Sequence, residues 1–188
     1  MKKTIAICAL VMSSLTIAMS VSAQTKNEKT VEVGGAAMYP SKDIIDNAVN
    51  SKDHTTLVAA VKAAGLVETL KSAGPFTVFA PTNAAFDKLP KGTVETLVKP
   101  ENKKTLTTIL TYHVVAGKMD KAAIANAIKA GNGKAVLTTV QGGTLTITMD
   151  GNKVKLTDEK GGSAYVTIAD VNQKNGVIHV IDGVVMLK

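Results

Sequence analysis

The sequence predicts an α+β fold, with helices in the first half packed on a largely antiparallel sheet from the second half. Three observations carry this. From residue 41 to residue 131 apolar residues recur at helical spacing, as in Leu57, Val58 and Val61 or Leu106, Ile109 and Leu110. After residue 133 the period drops to two, and Leu145, Ile147 and Met149 alternate with Thr144, Thr146 and Thr148. Strands and helices also fail to alternate one for one, as a parallel α/β sheet requires.

The elements follow in order. Ser41 is placed to cap a short helix holding Ile44, Ile45 and Val49. A second helix runs from Thr55 to Ala64 and stops at Gly65. Leu66, Val67 and Leu70 add a turn or two before Gly74-Pro75. Phe76 to Ala80 is a short strand, stopped by Pro81, and Thr82 caps a helix through Phe86 and Leu89. Phe79 and Phe86 are both assigned to the core at this strand-to-helix corner.

Pro100 suits the first turn of the next helix, which lines up Leu106, Ile109, Leu110 and His113. Val114 and Val115 start a strand that ends at Gly117, and Asp120 caps a helix closed at Gly131. Asp150-Gly151-Asn152 signals a hairpin between the alternating runs. Only a two-residue loop there sets apolar side chains opposite apolar ones. Tyr165, Thr167 and Val171 mark further strand, and Val177 to Leu187 is nearly all aliphatic.

The chain of 188 residues suits one domain with tails, and no internal repeat breaks it up. Residues 1–23 read as a secretory signal peptide: Lys2-Lys3, an uncharged apolar run, then Val21-Ser22-Ala23. Its removal takes away two lysines and no acid, lowering the formal charge from +7 to +5. It also removes Cys8, the one cysteine, so no disulfide or thiolate chemistry is expected. Residues 24–40 read as a flexible leader and 41–188 as the folded domain. A secreted or periplasmic protein without stable membrane insertion is expected.

Every basic residue is Lys, and aromatics make up only 3% of the chain. Without Arg forks or stacking rings, nucleic-acid binding is not expected. The three histidines His54, His113 and His179 are scattered, so no metal site or cofactor is expected. A hydrolase would need His179 with Asp182 and a serine, but no Gly-x-Ser-x-Gly elbow exists. The expectation is a protein that is not an enzyme. The lysine groups Lys99-Lys103-Lys104 and Lys153-Lys155-Lys160 are interspersed with acids and read as solvated surface.

Three stretches together closely resemble the fasciclin domain, a secreted adhesion and matrix module. They are Gly74 to Phe86 (GPFTVFAPTNAAF), Leu110 to Val115 (LTYHVV) and Asn175 to Val185 (NGVIHVIDGVV). The resemblance covers about Ser41 to Lys188. It implies a compact α+β wedge with both long motifs in the core. It also implies adhesion through cell-surface or matrix protein or polysaccharide.

Four binding residues are carried over on matching motifs. In animal fasciclin domains the tyrosine–histidine region is implicated in integrin binding, which maps onto Tyr112 and His113. An aspartate–aliphatic pair used in adhesion maps onto Asp170 and Val171, although Asn172 stands where the family usually has an apolar residue. The bacterial character of the signal peptide argues against an integrin as the native partner. The helix stripe points His113 inward, whereas the Tyr112 ring is expected to be partly exposed. The alternative function is binding of a small hydrophobic ligand between helices and sheet, which requires an enclosed pocket of several hundred Å³.

Overall fold

The computed structural model describes residues 28–187. The expected signal peptide and the first residues of the expected leader lie outside that range. Strands β1 (Val31–Val33) and β2 (Ala36–Met38) pair antiparallel across Gly34-Gly35. Both glycines have positive φ, +59° and +73°, as a tight hairpin turn demands. Val33 and Met38 are buried, so the leader reading fails for this segment. Its alternation spans only three residues per strand, and the apolar surface it packs on comes from later in the chain.

Helix α1 (Ile44–Ala48) is capped by Asp43, whose carboxylate accepts from the Asp46 amide at 2.8 Å. Ser41, the expected cap, instead donates to Glu28. A 3₁₀ turn at Lys52–His54 leads into α2 (Thr55–Ala64), which ends in left-handed Gly65 as expected. Next come α3 (Val67–Lys71), β3 (Phe76–Pro81) and α4 (Asn83–Asp87), the last capped by Thr82. Helix α5 (Thr93–Leu97) was not anticipated; it buries no residue fully, and Leu97 packs half-buried against the first core cluster. Pro100 opens a 3₁₀ turn rather than α6 (Lys103–Tyr112) itself.

Strand β4 (Val114–Ala116) precedes α7 (Lys121–Ala130), whose cap Asp120 accepts from Ala123 N at 2.8 Å. Five strands finish the fold: β5 (Lys134–Thr138), β6 (Thr144–Asp150), β7 (Lys153–Thr157), β8 (Ser163–Gln173) and β9 (Gly176–Ile181). The β6–β7 hairpin pairs Asp150 with Lys153 across Gly151-Asn152, the two-residue loop the apolar register required.

The sheet order is β4-β3-β9-β8-β7-β6-β5. All neighbours are antiparallel except β3 and β9, which run parallel. A bridge from Val115 to Thr139, with Val140 N donating to Val114 O at 2.7 Å, draws the two ends together into a near-barrel. The strand pleat then divides the core in two. Val78 and Ala80 of β3 join α1, α2, α3 and α6 in one cluster. Phe79, between them, points the other way, into a cluster with Tyr112, Ile124, Leu145, Ile147 and Ile181. Phe86 only rests against the first cluster, half-buried, so of the two corner phenylalanines Phe79 alone is a full core residue.

Candidate functional site

Tyr112 is the last residue of α6, and its side chain is 0% exposed. Its hydroxyl donates to the Thr144 carbonyl at 2.5 Å, a bond that satisfies the one polar atom taken into the second core cluster. The partly exposed ring expected from the sequence is therefore corrected. The turn from α6 into β4 swings Tyr112 over β6, which helical spacing within α6 does not reveal.

His113 caps α6 and is buried, as its stripe position predicts. Nδ1 lies 2.8 Å from the Ile109 carbonyl, and Nε2 lies 3.3 Å from the Val185 amide. A carbonyl can only accept and an amide can only donate here. The ring is thus neutral, with its proton on Nδ1. Burial pushes its pKa down to about 4, partly opposed by the Ile109 carbonyl and the Asp158 charge.

Asp170 and Val171 sit where β8 breaks register against β9, between Ile168 and Val171. Asp170 has φ +59°, a left-handed conformation that Asp tolerates better than most side chains. Its carboxylate accepts from the Lys121 amide at 2.7 Å, at the first residue of α7. Its own amide donates to His179 Nδ1 at 3.3 Å. The bulge leaves Asp170 half-exposed, while Val171, 1% exposed, turns back into the core opposite Ile178.

One run of contacts connects the two motifs. The Phe79 amide donates to the His113 carbonyl at 2.9 Å. The Phe79 ring stacks on His179, with centroids 5.7 Å apart. His179 then accepts from Asp170 and donates from Nε2 to the Met119 carbonyl at 2.7 Å. Burial lowers the His179 pKa, which suits a neutral ring with one donor and one acceptor. Phe79, His179 and Lys121 were not among the expected site residues. His179 and Phe79 lie in the two long motifs, but nothing in the sequence signals that the Lys121 amide meets Asp170.

His179 binds backbone groups rather than Asp182, whose carboxylate accepts from the Tyr165 amide at 2.8 Å. Among the described residues, no group of three or more His, Cys, Asp or Glu side chains could hold a metal ion. None of the described helices is long and apolar enough to cross a membrane. Between helices and sheet lies an apolar cavity lined by Ile44, Leu57, Val61, Val78, Ile178 and His54. Its volume is about 70 Å³, well below what the small-ligand reading required. His54 meets Ser51 Oγ at 2.9 Å through Nδ1, and burial lowers its pKa.

A family model described as the Fasciclin domain matches residues 52–187. Protein sll1483 of Synechocystis sp. is 46% identical over 171 residues, which cover 91% of this chain and 87% of that protein. Immunogenic protein MPB70 of Mycobacterium bovis is 40% identical over 144 residues, 74% of this chain and 66% of that one. Human periostin is 33% identical over 134 residues, covering 71% of this chain but only 14% of its own length. Among solved structures, a FAS1 domain pair from the insect cell adhesion molecule Fasciclin I superposes with a TM-score of 0.70. That match covers 79% of this chain and 52% of the other at 16% identity, and it establishes the shared fold.

Proposed function

This chain belongs to the fasciclin domain family, and we propose that it is a secreted or periplasmic binding module for cell-surface or matrix adhesion, with Asp170 as its contact residue. One observation carries the reading. Of the four candidate binding residues, Tyr112, His113 and Val171 are buried, and Asp170 alone is half-exposed. It is also held from two sides, by the Lys121 amide on its carboxylate and by His179 on its backbone. A carboxylate fixed in this way loses little freedom on binding a partner. Tyr112, His113 and Val171 are packed in the core and do not touch the partner themselves.

The test is a solid-phase adhesion assay on envelope or matrix material, run beside thermal melting. Asp170→Asn is the informative variant, because Asn keeps an acceptor for Lys121 and tolerates positive φ while losing the charge. It should melt like the parent and lose adhesion. A variant that adheres as well as the parent removes Asp170 from the contact. A His113→Ala protein that stays folded yet fails to adhere moves the contact to the tyrosine–histidine region.

A further inference from the structure

The outer face of strands β5 to β8 forms a second surface, which runs up to the bulge that carries Asp170. Along β6, Leu145 and Ile147 point inward and are 0% exposed, so Thr144, Thr146 and Thr148 point outward. The registers align the strands into rows. Lys134, Thr148, Lys155 and Tyr165 face one another across all four strands. Beside them run Val136, Thr146, Thr157 and Ser163. Neighbouring strands lie about 4.8 Å apart, which sets the backbones of Lys134 and Lys155 about 10 Å apart. Among the described residues, Lys134, Lys153 and Lys155 have no ion-pair partner. Lys155 Nζ lies 5.9 Å from the centre of the Tyr165 ring, whose hydroxyl is fixed by Asp150 at 2.8 Å.

The face ends in a concavity. Strand β7 pairs with β8 only at Lys155–Tyr165, Leu156–Ala164 and Thr157–Ser163, and beyond Tyr165 the two strands part. A cleft of about 360 Å³ opens there, lined by Lys121, Lys153, Tyr165, Thr167 and Asp182. That volume suits a sugar-sized group, and its lining mixes one ring with amines, a hydroxyl and a carboxylate.

We infer that this face binds an acidic polysaccharide, a chain of uronate or sulfated sugars, laid across the strands along Lys134, Thr148, Lys155 and Tyr165 into the cleft beside β8. The inference rests on the binding-module reading and names a partner class and a second contact surface for it. Three unpaired ammonium groups supply an attractive field for single negative charges spaced along a polymer. Threonine hydroxyls both donate and accept, as sugar hydroxyls do. Exposed Val136, the threonine methyl groups and the Tyr165 ring offer flat apolar support for the sugar rings. The other anionic partners fit less well. There is no Arg for phosphate forks and no row of rings for stacked bases. A lipid surface calls for Trp, Phe or Leu wedges, and the rows contain none of these. An acidic peptide strand adds to a free strand edge rather than lying on a sheet face.

The probe is immobilised alginate, a polyuronate, with dextran, polyglutamate and phosphatidylglycerol vesicles as comparison arms. The secreted protein should bind alginate, bind more weakly as salt rises, and ignore dextran. The triple variant Lys134→Gln, Lys153→Gln and Lys155→Gln should lose about tenfold in affinity while melting like the parent. Lys99→Gln, Lys103→Gln and Lys104→Gln together remove the same charge from the helical side and should change affinity less than about twofold. Equal losses from both triples would reduce the effect to net charge and overturn the inference. So would binding to polyglutamate or vesicles tighter than to alginate, binding to dextran as tight as to alginate, or no binding. If the face triple adheres to envelope material as the parent does, the face is excluded while the adhesion reading stands. If the parent itself adheres to nothing, that reading fails instead.

Discussion

Acidification is expected to weaken this fold before its carboxylates titrate, and His113 sets the size of the effect. Its two ring nitrogens meet one carbonyl and one amide, Ile109 O at 2.8 Å and Val185 N at 3.3 Å. A proton on Nε2 would set N–H against N–H and release the segment around Val185, which is itself fully buried. The pKa falls from 6.5 to about 4 in the folded protein. That difference amounts to about 3 kcal/mol. The unfolded chain takes up the proton first as pH drops. The contribution is therefore complete above about pH 6.5, shrinks as pH falls toward 4, and changes no further below that. His54 and His179 are lowered as well and add in the same direction. For a domain with about 5–15 kcal/mol in total, this is a large share. Urea denaturation across that window measures it, and NMR of the histidine ring protons assigns it. A folded-state His113 that titrates near 6.5 would refute the reasoning. So would a parent protein whose stability changes by less than about 1 kcal/mol across the window.

Phe79→Ala should cost about 3–5 kcal/mol in urea denaturation, and Phe86→Ala clearly less, because Phe86 is only half-buried. Asp170→Ala should cost about 1–2 kcal/mol by thermal melting, since it strips the acceptor from Lys121 and leaves alanine at φ +59°. Asp170→Asn should stay within about 0.5 kcal/mol of the parent. Asn175 accepts from Ile44 N at 3.1 Å and donates to Leu70 O at 2.7 Å and Ser72 O at 3.0 Å. Asn175→Ala should therefore cost about 1–3 kcal/mol or more, whereas a residue serving only as a turn former would cost little. Intact mass of the exported protein should start at Gln24, without lipid on Cys8.

The parts of this fold that were legible in the sequence are those that local chemistry dictates. Thr82 and Asp120 cap helices because their side chains reach amides three residues ahead. Gly65 ends α2 because it occupies the left-handed region at no steric cost. The β6–β7 loop length followed from alternation alone, since one residue more would turn every apolar side chain to the wrong face. His113 was placed inward by its spacing in α6. The three motifs identified the family.

Other features exist only because distant segments meet. The β1–β2 hairpin is ordered by core residues far along the chain, such as Val171 and Ile178, and three-residue strands carry too little pattern to announce it. The parallel pairing of β3 with β9 joins segments about 100 residues apart, where no turn specifies the register. It is held instead at Gly176, where a Cβ would collide with the Phe76 carbonyl oxygen. The segment around Asp170 follows the same logic. The sequence by itself determined that Asp170 stands shortly before the Asn175-Gly176 turn. The tertiary structure decided that its carboxylate meets the Lys121 amide, 49 residues away, while Tyr112, His113 and Val171 go inside. Spacing along the chain governs which residues share a face of one element. Which faces are buried depends on packing between elements, and that packing left Asp170 half-exposed and rigidly held.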